Sequence, residues 1–394
     1  MIPEYREQFN REFSQEKYTS LKSILKEKSG IESAFRISES PVFLSHALKI
    51  QLTEAAESII DQIKAIEPEI LRKAVPDRYT IPNDTQQPHF FTIDFGICAD
   101  ENGNVLPQLI ELQAFPSLYA FQKVYEDAFC ETYPFLSGIK NTMTEELYID
   151  HLKKVILGDE SPEHVILLEI FPEQQKTAID FLCTEKMLGI KTVCLTQIKK
   201  QGRKLYYDHN GKQTEIKRIY NRVIFDELEQ IPDLNPGFDF REDLDVHWIT
   251  HPNWFFKISK FILPFLKHPL VPKSYFLHEF PDHEDLGNFV LKPLFSFAGS
   301  GVDLHPAPAV VEAITDKENY ILQRKVQYEP AFKDINGDHS KAEIRLLYVW
   351  HEDEERPVLL NNLVRMTKAD MVNVSFNKKD AIWIGSSHAF FTKE

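Results

Sequence analysis

The chain has 394 residues, 43% of them hydrophobic and 12% aromatic, enough apolar surface for a sizeable core and against disorder. Its 45 basic and 60 acidic side chains leave a formal charge of −15, which weighs against a nucleic-acid partner and against an anionic membrane surface. Cys98, Cys130, Cys183 and Cys194 show neither CxxC nor zinc spacing, the N-terminus MIPEYREQFNREFSQEKY has no apolar signal core, and no apolar run approaches the ~20 residues of a membrane span, so the expectation is a cytoplasmic protein with reduced thiols.

In chain order, apolar residues at helical spacing predict a helix over 4–28 and another from His46 to Lys73, interrupted at Pro68. The period then changes. Phe90 to Phe95 alternates, Asp100 to Asn104 (DENGN) makes a turn, and Leu109 to Gln113 is a second strand, so a β-hairpin carries Asp94, Glu111 and Gln113. Glu111 and Gln113 share a face because strand side chains alternate. A helix is predicted over Ser117 to Thr132, and another after a capping box at Thr142 to Glu145. His164 to Ile170, Pro172 to Leu188 and Ile190 to Leu195 read as a βαβ unit. A hairpin turns at Asn210-Gly211, Ile216 to Val223 returns as a strand carrying Arg222, and the Pro- and Asp-rich stretch Ile231 to Asp243 reads as a linker. Lys257 to Leu266 is a short helix.

The stretch FVLKPLFSFAGSGVDL (Phe289 to Leu304) combines a buried strand, Lys292 and a loop of small residues, Ala298 to Gly301, before the strand pattern resumes at Val302 to Leu304. Small residues let backbone N–H groups approach an anion, and the lysine adds a point charge where phosphates would lie. No Walker or Rossmann glycine motif occurs in the chain. Further strands are predicted at Tyr320 to Val326, Glu343 to Leu347 and Val358 to Val364, with Arg365 just after, then Met371 to Asn377 and a final IWIG. Glu343 and Arg345 share a face, with a solvated cross-strand pair and a nucleotide-site role both open. Arg222 is open between an interdomain salt bridge and a clamp for a substrate carboxylate. His247, His251 and His268 show no ligand spacing, and His278 and His283 lack the HExxH spacing.

Taken together these segments resemble the ATP-grasp superfamily, in the motif order of its circularly permuted branch typified by glutathionylspermidine synthase. PQLIELQAFPSL (Pro107 to Leu118) resembles the metal strand, IDFG (Ile93 to Gly96) the strand with its preceding aspartate, and SKFILPFL (Ser259 to Leu266) the segment with a first nucleotide lysine, Lys260. FVLKPLFSFAGSGV resembles the segment with the second lysine, Lys292, and its phosphate-covering hairpin, Ser300 and Gly301 included. YILQRKV resembles the adenine hinge, where Gln323 and the backbone of Lys325 and Val326 would face the base.

The resemblance implies an α/β (α+β) fold with two antiparallel ATP-grasp-like sheets. A pre-ATP-grasp-like βαβ domain over 151–245 and N-terminal helices over 1–84 would flank a core formed by 85–150 and 246–394. It implies ATP and Mg2+ as cofactors, Asp94, Glu111 and Gln113 as metal ligands, Glu343 as a nucleotide-site residue, and Arg365 and Arg222 as catalytic residues. Small-molecule carboxylate and amine substrates would be joined through an acyl phosphate, with a homodimer as the default assembly. Phosphoryl transfer needs positioning and charge neutralisation, which hard oxygen ligands around magnesium and a set of cationic side chains supply. Two positions depart from the family pattern. Gln113 stands where the family has asparagine, and Thr92 where the permuted synthases have arginine. These departures keep open a catalytically weak nucleotide-binding relative acting as a partner or sensor, and a kinase on the same fold.

Overall fold

Capping decides where the first helices begin and end. A computed structural model describes residues 2–140, 143–231, 233–295, 300–369 and 382–392. The helical spacing over 4–28 is carried by two helices rather than one, α1 (Pro3–Glu12) and α2 (Gln15–Ser29). Ser14 divides them, because its side chain accepts the Lys17 N–H at 3.2 Å and competes with a continuous helix. After β1 (Val42–Leu44), Ser45 caps α3 (His46–Ala65) through the Leu48 N–H, and Pro68 opens a separate α4 (Pro68–Lys73).

β2 (Phe90–Ala99) and β3 (Val105–Gln113) form the expected antiparallel hairpin. α5 (Tyr119–Thr132) and α6 (Glu145–Ile156) follow. The cap of α6 is Thr144, which accepts the Leu147 N–H at 3.2 Å; Thr142 lies outside the described residues. β4 (Val165–Glu169), α7 (Ala178–Leu188) and β5 (Lys191–Cys194) make the βαβ unit with parallel strands. Its helix starts at Ala178 rather than Pro172, because Phe171 is left-handed and Pro172–Gln174 forms a separate 3-10 turn.

β6 (Lys199–Gln201), β7 (Lys204–His209) and β8 (Lys212–Ile216) form a meander whose last turn puts Asn210 and Gly211 at positive φ. The strand predicted over Ile216 to Val223 is instead the end of β8 and a distinct β9 (Arg218–Asn221), which leaves Arg222 just beyond a parallel strand's C-terminal end. After α8 (Phe225–Glu229), the stretch predicted as a linker packs instead: Phe238 and Phe240 are buried beside Trp248 of β10 (His247–Ile249).

The single helix predicted from Lys257 to Leu266 is α9 (Asn253–Lys257) and a separate 3-10 segment, Lys260–Phe265, capped by Ser259. β11 (Ser274–Phe276), β12 (Phe289–Pro293) and β13 (Tyr320–Arg324) form a small antiparallel sheet, with α10 (Pro308–Ala313) between the last two in sequence. The strand expected at Val302 to Leu304 is reduced to one bridge, Asp303 with Leu291, and Ala298 and Gly299 fall outside the described residues. β14 (Phe332–Lys333), β15 (His339–Val349), β16 (Val358–Thr367), β17 (Gly385–Ser387) and β18 (Ala389–Phe391) complete the chain. Arg365 therefore lies within a strand, not after it. The Met371 to Asn377 segment, with Asn373, lies outside the described residues, and the IWIG segment reaches strand conformation only at Gly385, after Trp383 at φ 62°.

The largest sheet has the order β17-β16-β15-β2-β3, with β14 paired to β15, so the early hairpin completes a sheet whose other strands come from the end of the chain. The parallel sheet has the order β10-β9-β4-β5. One face of the large sheet, with Ile93, Phe95, Ile344 and Leu346, shares a core with Leu52, Ala56 and Ile59 of α3. The opposite face is apolar at one end only, where Phe90, Leu347 and Val349 meet Tyr119 and Tyr148. Further along, that second face turns ionic.

Ser45 supplies the cap that starts α3, the helix under the large sheet. Ser45→Ala is expected to cost about 1 kcal/mol, read as a lower urea midpoint with an unchanged slope.

Candidate functional site

Strand register builds the site. Asp94 of β2 lies opposite Arg345 of β15 on one side and Glu111 of β3 on the other, while Glu343 lies opposite Arg365 of β16. All five side chains therefore share the ionic face. The register of β2 with β3 slips by one residue between Asp94 and Phe95, so that Ile110 is the extra residue of a bulge. Its carbonyl accepts from Lys292 Nζ at 3.4 Å and the neighbouring Leu109 carbonyl from Gln323 Nε2 at 3.4 Å, which ties the small β11–β13 sheet to the acidic strand.

Asp94 is fully buried. Arg345 grips it with two parallel bonds, Nε to Oδ1 at 2.7 Å and Nη2 to Oδ2 at 2.6 Å, and Arg365 Nη2 donates to the same Oδ2. Arg365 Nη2 also lies 2.9 Å from Glu343 Oε2, and both guanidinium groups approach Glu111 Oε1, at 3.6 Å and 3.7 Å. Gln113 Nε2 donates to that oxygen at 3.0 Å, which confirms that Glu111 and Gln113 share a face. Glu343 is buried, not a solvated partner of Arg345, and receives the Tyr328 hydroxyl.

Burial pushes the Glu111 carboxyl up, but Lys260, Arg365, Arg345 and Lys292 outweigh it and hold the group below the ordinary carboxylate range. For Glu343 burial wins: its carboxyl is raised, with Arg365 opposing and Asp94 adding to the rise. Arg365 is held more firmly charged than usual, since Glu343, Asp94 and Glu111 overcome its desolvation. Burial brings Lys292 down to about 8, with Glu111 opposing and Lys260 reinforcing the shift.

Three of the cationic residues named from the sequence, Lys260, Lys292 and Arg365, thus act on one carboxylate, Glu111. Lys260 is buried on its 3-10 turn, not a helix-surface lysine, and its charge is felt by both Glu111 and Lys292. Lys292 Nζ donates to the Gln323 side-chain oxygen, so that amide is committed within the site. Ser300 and Gly301 are exposed at the far side of the loop, and Gly301 at φ +71° crosses close to Pro293. The Lys325 N–H donates to the Asn288 carbonyl at 2.9 Å and its Nζ to the Gly287 carbonyl, so of its backbone groups the N–H is already used; Val326 follows, half-buried.

Arg222 is separate from this network. It is buried at the C-terminal edge of the parallel sheet, its guanidinium 4.8 Å from the Phe115 ring and 5.3 Å from the Phe181 ring. Nη2 reaches Thr177 Oγ1 at 3.3 Å, while Nε and Nη1 have no hydrogen-bond partner among the described residues. Nearby Asp180 instead accepts the Leu118 and Phe121 N–H groups at the start of α5. Among the described residues no salt bridge to Arg222 is formed.

One pairing and one side chain escaped sequence reading. The pairing is that of Arg345 with Asp94, since no spacing links residues so far apart in the chain. Tyr328 had no signal beyond an aromatic residue in a polar run. A third grouping, His89, His247 and Glu352, has donor atoms within 4.8 Å of one another. It does not suit a metal. The Thr250 N–H donates to His89 Nδ1 at 3.1 Å, which puts the ring proton on Nε2, facing Glu352 at 2.7 Å. The four cysteines are buried and free, and among the described residues no helix is long and apolar enough to cross a membrane.

No protein-family model matches the chain, and no curated relative matches its sequence. Among solved structures it is similar to a glutathione synthetase-like effector from Globodera pallida, determined in the apo form. The two are 12% identical, with a TM-score of 0.58 over 96% of each chain. The shared feature is the fold, a glutathione synthetase-like α+β architecture over nearly the whole chain.

Removing one member of a buried ion network leaves its partners uncompensated. Asp94→Asn is therefore expected to lower stability by roughly 3 kcal/mol or more, measured by urea unfolding at neutral pH. A pH effect arises at His351, buried against His151 with Nδ1 of His151 2.9 Å from its Nε2. Burial, then Lys154 and His151, brings its pKa from 6.5 down to about 4. The folded state thus favours the neutral ring, and this stability is complete above pH 6.5 and is lost as pH falls from 6.5 towards 4. His351→Gln is expected to lose less stability than the wild type between pH 7 and 5, read from urea midpoints.

Proposed function

We propose that this chain is an ATP- and magnesium-dependent carboxylate–amine ligase of the ATP-grasp type, acting through an acyl phosphate and releasing ADP and phosphate. The observation that carries the reading is the convergence on one sheet face of Asp94, Glu111 and Gln113 from the early hairpin with Glu343 and Arg365 from the late strands, faced by Lys260 and Lys292. That interleaving of early and late strands is the arrangement a permuted ATP-grasp core requires. The fold likeness to a glutathione synthetase-like protein supports it at the level of architecture.

The donor set suits magnesium: Asp94 and Glu111 offer carboxylate oxygens and Gln113 an amide oxygen, all hard ligands, and the cations around Glu111 keep it ionised. Bound there, magnesium would offset phosphate charge. Lys260 and Lys292 would hold the nucleotide phosphates, with Ser300 and Gly301 in the covering loop, and Gln323, Lys325 and Val326 would line the adenine strand. The substrate carboxylate takes the γ-phosphate as the bond from the γ-phosphorus to the ADP oxygen breaks and Arg365 offsets charge on the transferring group; the amine nitrogen then bonds to the acyl carbon as the carbon–oxygen bond to phosphate breaks, and the nitrogen gives up its proton to the departing phosphate. Arg222, with two guanidinium nitrogens that have no hydrogen-bond partner among the described residues and with aromatic rings beside it, would clamp a carboxylate of the acid substrate. Arg345 would supply, one strand over, the guanidinium that Thr92 lacks.

A second reading has its own observation. Asp94 already spends both oxygens on Arg345 and Arg365, which favours a nucleotide-binding relative with little turnover unless Arg365 lets go. Steady ADP release with an acid and an amine would remove that reading.

The first test is thermal stability with and without Mg-ATP, for the wild type and Lys292→Ala. Ligand at ~100 times its dissociation constant adds about 2.7 kcal/mol, so the wild type is expected to melt higher with Mg-ATP and the variant to show no such rise. No rise in the wild type would end the nucleotide reading.

A further inference from the structure

The strand that would receive adenine is joined physically to the arginine at the phosphate end. Beyond β13, the segment carrying Tyr328 is stitched onto the end of β2: the Ala99 N–H donates to the Gln327 carbonyl at 3.0 Å and the Glu329 N–H to the Ile97 carbonyl at 3.0 Å. Cys98 and Tyr328 form the bridge between them. This segment takes over the edge of β2 where β15 stops pairing, at Gly96 opposite Glu343.

The tyrosine ring lies across Gly96. A Cβ at that position would sit 2.8 Å from Tyr328 Cε1, so a side chain there would displace the ring. From this seat the hydroxyl donates to Glu343 Oε1, and Glu343 Oε2 faces Arg365 Nη2 at 2.9 Å. The continuous path runs from the β13 strand through Tyr328 and Glu343 to Arg365.

We propose that Tyr328 is a positioning residue for Arg365: by fixing Glu343 it sets the direction of the guanidinium toward the terminal phosphate, and so gives the site its preference for a nucleoside triphosphate over the diphosphate. This rests on the nucleotide reading above. Loss of the hydroxyl leaves Glu343 held, among the described residues, by Arg365, and the guanidinium then follows the carboxylate instead of the γ-phosphate. ADP lacks that phosphate, so its affinity does not depend on the contact.

The test is the ratio of Mg-ATP to Mg-ADP affinity, by titration calorimetry on the full chain. Tyr328→Phe is expected to weaken ATP roughly tenfold, the effect of one hydrogen bond to a charged group, and to leave ADP unchanged. Glu343→Gln is expected to lower the ratio as well, and the double variant to be no worse than the poorer single one. Gly96→Ala moves the same ring without removing its hydroxyl, so it should lower the ratio too, and it serves if Tyr328→Phe fails to fold. An unchanged ratio, equal weakening of ATP and ADP, or strictly additive single effects would overturn the role of Tyr328 alone. A wild type that binds neither nucleotide overturns the nucleotide reading and this inference together.

Discussion

The arrangement depends on neutralising one buried carboxylate. Asp94 is sealed from solvent, and an unpaired buried charge is too costly to keep. Arg345 and Arg365 meet it from β15 and β16, and their presence in turn makes ionised Glu111 and the close approach of Glu343 tolerable. Such a network contributes little net stability over an apolar core of the same shape, yet it tolerates no missing member. It therefore acts on specificity, holding charged groups from four strands on one face.

That face sits between two other units. The bulge at Ile110 turns the carbonyls of Leu109 and Ile110 towards Gln323 and Lys292, so the small β11–β13 sheet grips the same strand that carries Glu111. On the other side, β3 runs on to Phe115, which covers the guanidinium of Arg222 at the end of the parallel sheet. One short stretch, from Leu109 to Phe115, thus touches the lysine sheet, the ionic face and the arginine pocket.

Much of the local structure was legible from residue order. The β2–β3 hairpin announces itself by alternation around DENGN, the βαβ unit by its run of apolar residues and terminal Gly189, and the Asn210-Gly211 turn by its chemistry. The misplaced helix boundaries share one cause: single residues overrode the apolar period. Ser14 and Thr144 offered side-chain caps, Phe171 took a left-handed conformation, and Ser259 restarted a turn. Apolar spacing does not report such local competition with the backbone.

Residue type and spacing on their own determined the candidates: an acidic strand early, lysines and an arginine late, and small residues after Lys292. They did so because each signal is local, written within a strand or a turn. Only the tertiary structure decided who meets whom. Arg345 pairs with Asp94, Tyr328 with Glu343, and Lys260 is buried rather than on a helix surface, because the early hairpin inserts beside strands from the end of the chain. Long-range strand register sets those pairings, and register is a property of the assembled sheet, where shifting one strand by a residue would turn its whole face away.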